Sequence, residues 1–439
     1  MTGTATTTSQ ISARSAREIL RGVARGDFTV EAVAKSCIDS IQAREPVLQA
    51  WAFFDPDLVL RQAKALDKAA TKGALHGLPV GVKDVLDTAD MPTEMGSVIY
   101  QGHRPAIDAA SVAQLRGQGA LMLGKTVTAE FAGVTPGPTT NPHQPSRTPG
   151  GSSSGSAAAV AAGMCPIAFG TQTGGSIHRP SSFCGIVGYK PTYGAVSRAG
   201  LKLAAETLDT IGLLGRDLET VELVAAALMN RAPSEATLPK PRIGLCRTPL
   251  WTTAEPATVE AVEDAAARLA QAGATVTELK LPKDFEALAE ARDGINNYER
   301  ARSMAVEWAK DADRISPKLA EIVRKGQAMR YEDYLWAARA TADCRALLNG
   351  LIAGYDILLA PCVPGEAPEG LAWTGDTRFQ SFWTMLHAPS MSLPTHKGPH
   401  GLPVSIQLIA PMWQDAKLFA ASRWVSQILG VTTLGVTTP

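Results

Sequence analysis

The segment from Gly133 to Gly200 constrains this chain more than any other. It is crowded with Gly, Ser, Thr and Pro, yet SAAAVAAG (156–163) and PIAFG (166–170) interrupt it. The first is a strong helix former and the second an apolar run, and a solvated linker carries neither. The stretch is therefore a folded, loop-rich core. Around it, helices and strands alternate. SVAQLRGQGALMLGKT (111–126) reads as a helix followed by a short strand, and Leu78–Val82 reads as a buried strand. PRIGLCR (241–247) reads as a central strand, with DILLAPCVPG (356–365) and LPVSIQLIAP (402–411) as late ones. Helical spacing runs from Ser12 to Arg44, divided at GDFT, where Gly26 stops one helix and Thr29 caps the next. It continues over residues 57–72, and TVELVAAALMN (220–230) with residues 257–274 makes the segment 215–350 mainly helical. This alternation predicts an α/β fold. We expect a single large domain over residues 11–439, with a central mixed, mostly parallel β-sheet covered by helices on both faces. Residues 1–10 form a Thr/Ser-rich tail.

Bulk properties exclude several function classes. Hydrophobic residues make up 45% of the 439 and charged residues 19%, the balance of an ordinary globular protein. Lys plus Arg equals Asp plus Glu at 42 each, which offers no electrostatic footprint for nucleic acid or an anionic membrane. The expected partner is a small molecule, with no nucleic acid and no membrane, and a homodimer is left open. The six cysteines are scattered without a CxxC pair and read as free thiols of a reducing compartment. No run approaches the roughly 18 apolar residues of a membrane span, so the expected location is the cytoplasm. No metal or organic cofactor is implied.

Three fragments carry chemistry. TPGGSSSGSAAAVAAG (148–163) opens a helix with a Gly/Ser cluster, whose backbone N–H groups can hold an anionic oxygen. A plain N-capped turn is the alternative. In GTQTGGSIHRPSSFCG (170–185), Ser176 follows two glycines and an apolar strand, a place that suits a nucleophile beside an oxyanion hole or simply a tight turn. In VGVKDV, Lys83 ends an apolar strand, either as a solvated terminus or as a buried amine with a lowered pKa.

Together these fragments resemble the amidase signature family, with similarity from about residue 12 to 425. Gly150–Ser153 and Gly174–Ile177 match its two central runs, and the serine spacing, 176 − 152 = 24, matches as well. Gly77, Pro79, Lys83 and Asp84 fit its GxPxxxKD context. Further matches are Asn141-Pro142, Arg147, Cys184-Gly185, Lys190-Pro191, Asp209-Thr210 and Gly401–Val404. The resemblance implies that Ser176 attacks an amide carbonyl, forming an acyl-enzyme. Ser152, following a cis peptide, would bridge Ser176 to a neutral Lys83, which takes and returns the proton. Backbone N–H groups of Thr173, Gly174, Gly175 and Ser176 would form the oxyanion hole. Ser153 would support the loop, Asp84 would be structural, and Cys184 would be a small buried residue.

Departures from the family's commonest form refine the expectation. Gln172 stands where many members have an acid, and Arg179 lies three positions after the nucleophile rather than two. This pattern looks nearest to the bacterial malonamidase type, in which the matching arginine binds a substrate carboxylate. Arg179, Gln172 and His178 are thus candidate substrate-binding residues. Structural alternatives are a salt bridge for Arg179 and packing for His178. The expected reaction is cleavage of the C–N bond of a small amide, with a carboxylate-bearing one favoured by Arg179. The same catalytic set also serves carbamates (urethanes), biuret-type ureas and esters. A role within an amidotransferase that works on charged tRNA is disfavoured by the Gln172/Arg179 variant.

Overall fold

Local signals set the helix boundaries in the computed structural model, which describes residues 11–431; the expected tail over residues 1–10 lies outside them. Ser15 and Glu18 cap the helix Ala16–Arg25 reciprocally, and Gly26 closes it in the left-handed region at φ 75°. Thr29 accepts from Ala32 N to start Val30–Leu48, as its sequence predicts. Val30, Val33, Ala34, Cys37 and Ile41 lie on the buried face.

The described residues form one sheet of eleven strands. In chain order these are β1 Trp51–Phe54, β2 Pro79–Lys83, β3 Leu121–Thr126, β4 Ile167–Gln172, β5 Val187–Lys190 and β6 Thr210–Gly215. They continue with β7 Arg242–Leu245, β8 Thr275–Glu278, β9 Ile357–Pro361, β10 Ser390–Lys397 and β11 Pro403–Ile409. The spatial order is β1-β3-β2-β4-β6-β5-β10-β11-β9-β7-β8. The sheet is mixed, as expected, but the parallel pairings are confined to its flanks: β3-β2-β4 on one side and β9-β7-β8 on the other. The strands between them, β4 to β9, pair antiparallel throughout. The expectation of a mostly parallel sheet is corrected accordingly. Helix-then-strand units predict parallel pairing where they occur, and the centre is instead built from strands joined by loops and hairpins. β7 is also not central but lies one strand from the edge.

Both faces are covered. In β4, Ile167 and Phe169 join one apolar layer while Ala168 joins the other. In β9, Ile357 and Leu359 face the first layer and Leu358 and Ala360 a third cluster. This period of two, apolar on both sides, belongs to a strand buried between helical layers. Truncating a fully buried ring such as Phe169 to alanine would cost about 3–5 kcal/mol. Among the described residues, no helix is long and apolar enough to cross a membrane.

Two helices, Ser154–Ala161 and His178–Cys184, sit inside rather than on the surface. Ser154–Ala161 is buried at every position and contains only small side chains apart from Val160. A Cβ on Gly155 would lie 2.1 Å from Ala50 O, so the backbone approach there excludes any side chain. This helix lies between β3 and β4 in sequence, and its N-terminus carries the Ser cluster to the carboxyl ends of β2 and β4. Crevices at such strand ends are where open α/β sheets place their sites.

Candidate active site

Parallel pairing of β2 with β4 brings two strand ends side by side, Lys83 on one and Thr171 on the other. Lys83 is fully buried, and its Nζ lies 2.8 Å from both Ser152 Oγ and Thr171 Oγ1. Among the described residues no carboxylate comes within ion-pair distance of it. Burial therefore dominates and holds the ammonium pKa well below its ordinary value; Asp209 opposes this, while Arg179 and Arg300 add to it. A neutral amine with hydroxyl neighbours can take up a proton.

The loop before Ser152 is shaped by close contacts. The Gly151–Ser152 peptide is cis, as the resemblance implies. Gly150 has φ 81°, and a Cβ there would meet Pro180 Cα at 2.7 Å. Ser153 Oγ lies 3.4 Å from both the N–H and the carbonyl oxygen of Thr171, tying the loop to β4.

Ser176 lies beyond the end of β4 and is nearly buried. Gln172 organises the turn that carries it. Its Oε1 accepts from Ile177 N at 2.9 Å and His178 N at 3.1 Å, and its Nε2 donates to Thr384 Oγ1 at 2.9 Å. Thr384 Oγ1 in turn donates to Gly174 O at 2.7 Å. A Cβ on Gly175 would fall 2.6 Å from Gln380 Oε1, so a side chain there would displace Gln380. The N–H groups of Thr173, Gly174, Gly175 and Ser176 donate to no acceptor among the described residues. Unpaired N–H groups in a turn are the kind of donor that can stabilise a developing oxyanion. The structure thus joins Lys83 to Ser152 directly. No hydrogen bond links Ser176 Oγ to either of them among the described residues.

The candidate substrate-binding residues occupy internal positions. His178 is fully buried, with Nδ1 3.2 Å from Ser392 Oγ and Nε2 2.8 Å from Ser390 Oγ, and burial pushes its pKa down to about 3. It is a neutral ring packed on β10. Arg179 donates from Nε and Nη2 to Gly151 O and from Nη1 to Gly375 O. No salt bridge engages it among the described residues; its donors hold the carbonyl preceding Ser152. The Gln172 amide is spent on the Ile177 and His178 N–H groups and on Thr384 Oγ1.

Asp84 forms a buried ion pair with Lys125 at 3.2 Å and accepts from Glu94 N. Cys184 is buried, its thiol pKa pushed up by desolvation, with Sγ on Pro149 O. Three residues near the site were not singled out from the sequence as acting there. They are Thr171, Thr384 and Arg300, and only Thr171, on the strand leading into GGS, carried any local signal. A cavity of about 310 Å³ lined by Leu250, Phe285, Leu288, Arg292, Phe382 and Met385 flanks the helix Arg378–Met385. Ser176 does not line it. The opposite face of that helix, through Gln380 and Thr384, supports the nucleophile turn.

With this geometry in place, comparison with known proteins is informative. A family model described as Amidase matches residues 32–419. One subunit of the glutamyl-tRNA(Gln) amidotransferase of Thermus thermophilus is 33% identical, over 93% of this chain and 95% of that protein. A solved vestigial protein complex bearing on the origins of an s-triazine catabolic enzyme superposes with a TM-score of 0.87 at 28% identity, over 96% of this chain and all of the other (100%). The peptide amidase of Stenotrophomonas maltophilia gives 0.82 at 27% identity, over 98% of this chain and 100% of that one.

These relatives correct one expectation. Proteins named as subunits of a glutamyl-tRNA amidotransferase match this chain over nearly its full length, so a small molecule as the sole partner, with nucleic acid set aside, does not stand. Neutral net charge does not exclude such partners. A protein whose partner holds the RNA needs no basic footprint of its own. Nor do these relatives single out the malonamidase type.

Proposed function

The chain belongs to the amidase family of amide hydrolases, and from that premise we propose that Ser176 is its nucleophile, activated through Ser152 by Lys83. The observation that carries this reading is the buried Lys83, free of any carboxylate partner among the described residues, with Nζ 2.8 Å from Ser152 Oγ. In the proposed reaction Ser176 Oγ attacks the substrate carbonyl while its proton passes to Ser152, whose own proton passes to Lys83. The oxyanion is held by the N–H groups of the Thr173–Ser176 turn. The amine leaves with a proton returned along the same route, and water then releases the acyl group by the reverse sequence. The path requires Ser176 Oγ to hydrogen-bond Ser152, a contact of the kind that in ligand-free sites often closes only with substrate.

We read Gln172 as the brace of the nucleophile turn and Arg179 as the clamp on the Gly151 carbonyl. The substrate class is a compact amide; carbamates and ureas fit the same chemistry, since each passes through an acyl-serine. A second reading is favoured by a specific observation, the 33% identity to the Thermus amidotransferase protein over 93% of the chain. In that reading the ammonia released is passed to a partner rather than to solvent.

One experiment separates them. The purified chain is assayed alone on a panel of amides, carbamates and ureas, with fluorophosphonate labelling to mark Ser176. Turnover by the chain alone supports the free-standing hydrolase. Turnover that appears only with partner proteins and charged tRNA supports the second reading, and labelling that survives Ser176→Ala rejects both.

A further inference from the structure

Lys83 has two hydroxyl neighbours, and the proposed proton path uses only one of them. Ser152 Oγ and Thr171 Oγ1 both lie 2.8 Å from its Nζ. Among the described residues Nζ makes no other hydrogen bond, and Thr171 Oγ1 has no other partner. The two hydroxyls are held differently. Ser152 is carried by the loop 150–153, whereas Thr171 lies within β4 and pairs with Ile211 of β6. Its backbone N–H and carbonyl are also tied to Ser153 Oγ, each at 3.4 Å. A β-branched side chain on a paired strand has little rotamer freedom, so its hydroxyl is a fixed point beside the amine.

An ammonium has three N–H donors and no acceptor, and loss of one proton leaves two donors and one lone pair. Two oxygens at equal distance can meet such an amine in two ways. In the first, the lone pair faces Ser152 and an N–H donates to Thr171. In the second, the Thr171 hydroxyl donates to the lone pair and Ser152 only accepts. The first alone lets Ser152 pass its proton to Nζ.

We propose that Thr171 is a positioning residue for the base: by accepting an N–H from Lys83 it turns the amine lone pair toward Ser152. This rests on the assignment of Lys83 and Ser176 made above. In the step itself the Ser176 proton goes to Ser152 Oγ and the Ser152 proton to Nζ, while Thr171 keeps its own. The ammonium so formed binds Thr171 more strongly than the amine did, because a charged donor strengthens the bond. Besides burial, which dominates, the charges acting on Lys83 are Asp209, Arg179 and Arg300, and the adjacent Asp84–Lys125 pair is closed on itself. Among the described residues none of these groups bonds to the Thr171 side chain, so its substitution leaves them in place.

The test needs no knowledge of the natural substrate. Second-order rates of Ser176 labelling by a fluorophosphonate are followed by intact mass from about pH 5 to about pH 10. Thr171→Val keeps the side-chain shape and deletes the acceptor. Its plateau rate should fall about 10–100-fold. Its acid limb should move down by at least about half a pH unit, because the ammonium loses more than the amine does. Thr171→Ser restores the acceptor and should recover most of the rate and the position of the limb. Thr171→Ala, read in the same way, carries the test if the Val variant does not fold. A slower rate with an unmoved limb marks the hydroxyl as packing alone and overturns the proposal. A rate equal to or above that of the wild type also overturns it, the faster case meaning that Thr171 competes for the lone pair. Failure of the underlying assignment is seen separately, as labelling that survives Ser176→Ala or an undiminished rate in Lys83→Met.

Discussion

Two lysines end up buried side by side on neighbouring strands, and they have opposite fates. Lys83 closes β2 and Lys125 sits near the end of β3, with Val82 opposite Lys125 and Lys83 opposite Thr126 in the parallel register. Each is fully buried. Lys125 has an acid for a neighbour, Asp84 at 3.2 Å, along with Thr93 Oγ1 and Pro92 O. Lys83 has only the hydroxyls of Ser152 and Thr171. Burial lowers both ammonium pKa values, but the lowering is opposed by a direct ion pair only at Lys125. A buried amine beside a carboxylate is held as a structural cation, and the same amine beside alcohols is free to serve as the base proposed for Lys83. Burial sets the tension and the partner decides its use.

Substitutions should split the two sites in opposite directions. Ser176→Ala is expected to remove all turnover and all fluorophosphonate labelling, and Lys83→Met to lower kcat by about 10³–10⁴-fold. The stability effect of Lys83→Met has the opposite sign. The folded-state pKa of Lys83 is depressed, so the unfolded chain binds the proton more tightly. Stability from this group is therefore lost as pH falls from the ordinary lysine value toward the lowered one. At neutral pH its removal should leave the melting temperature unchanged or raise it by about 2 °C, read by calorimetry. A clear drop in melting temperature would mark Lys83 as structural and erase the contrast.

Gln172→Ala comes next, with an expected loss of about 10–100-fold in kcat, because the Ile177 and His178 N–H groups lose their shared acceptor and the turn shifts. Lys125→Met should change kcat per folded molecule by no more than about threefold while destabilising by about 3–5 kcal/mol, since Asp84 is left buried and unpaired. Removing both charges in Lys125→Met/Asp84→Asn should recover at least half of that loss. The mildest expectation concerns pH. The ratio kcat/KM should fall as acid protonates Lys83, with the limb well below pH 10.5 and absent from any residual activity of Lys83→Met.

Much of the site was legible because the chemistry is written in short, local runs. The glycines around Ser152 and Ser176 and the strand leading to Lys83 each declare a turn or a strand end within a few residues. Strands β5, β6 and β10 were not legible, since Gly188, Gly212 and the Ser and Pro residues of SMSLPTHK hide their pattern. Pro394 sits where the β10–β11 register shifts, a place where a missing N–H is tolerated. Arg179 was singled out from its position after the nucleophile, yet sequence spacing gives no view of the Gly151 and Gly375 carbonyls that its guanidinium meets.

The sequence by itself determined the α/β class, the helix caps and which side chains could do acyl chemistry, because propensity, capping and backbone freedom act over a few residues. The direction of the central strands and the charge state of each buried group were decided only by tertiary structure. Strand pairing and desolvation depend on groups far apart in the chain. Lys83 and Lys125 look alike along the sequence, and only the neighbour each meets in the folded core separates the proposed base from the brace.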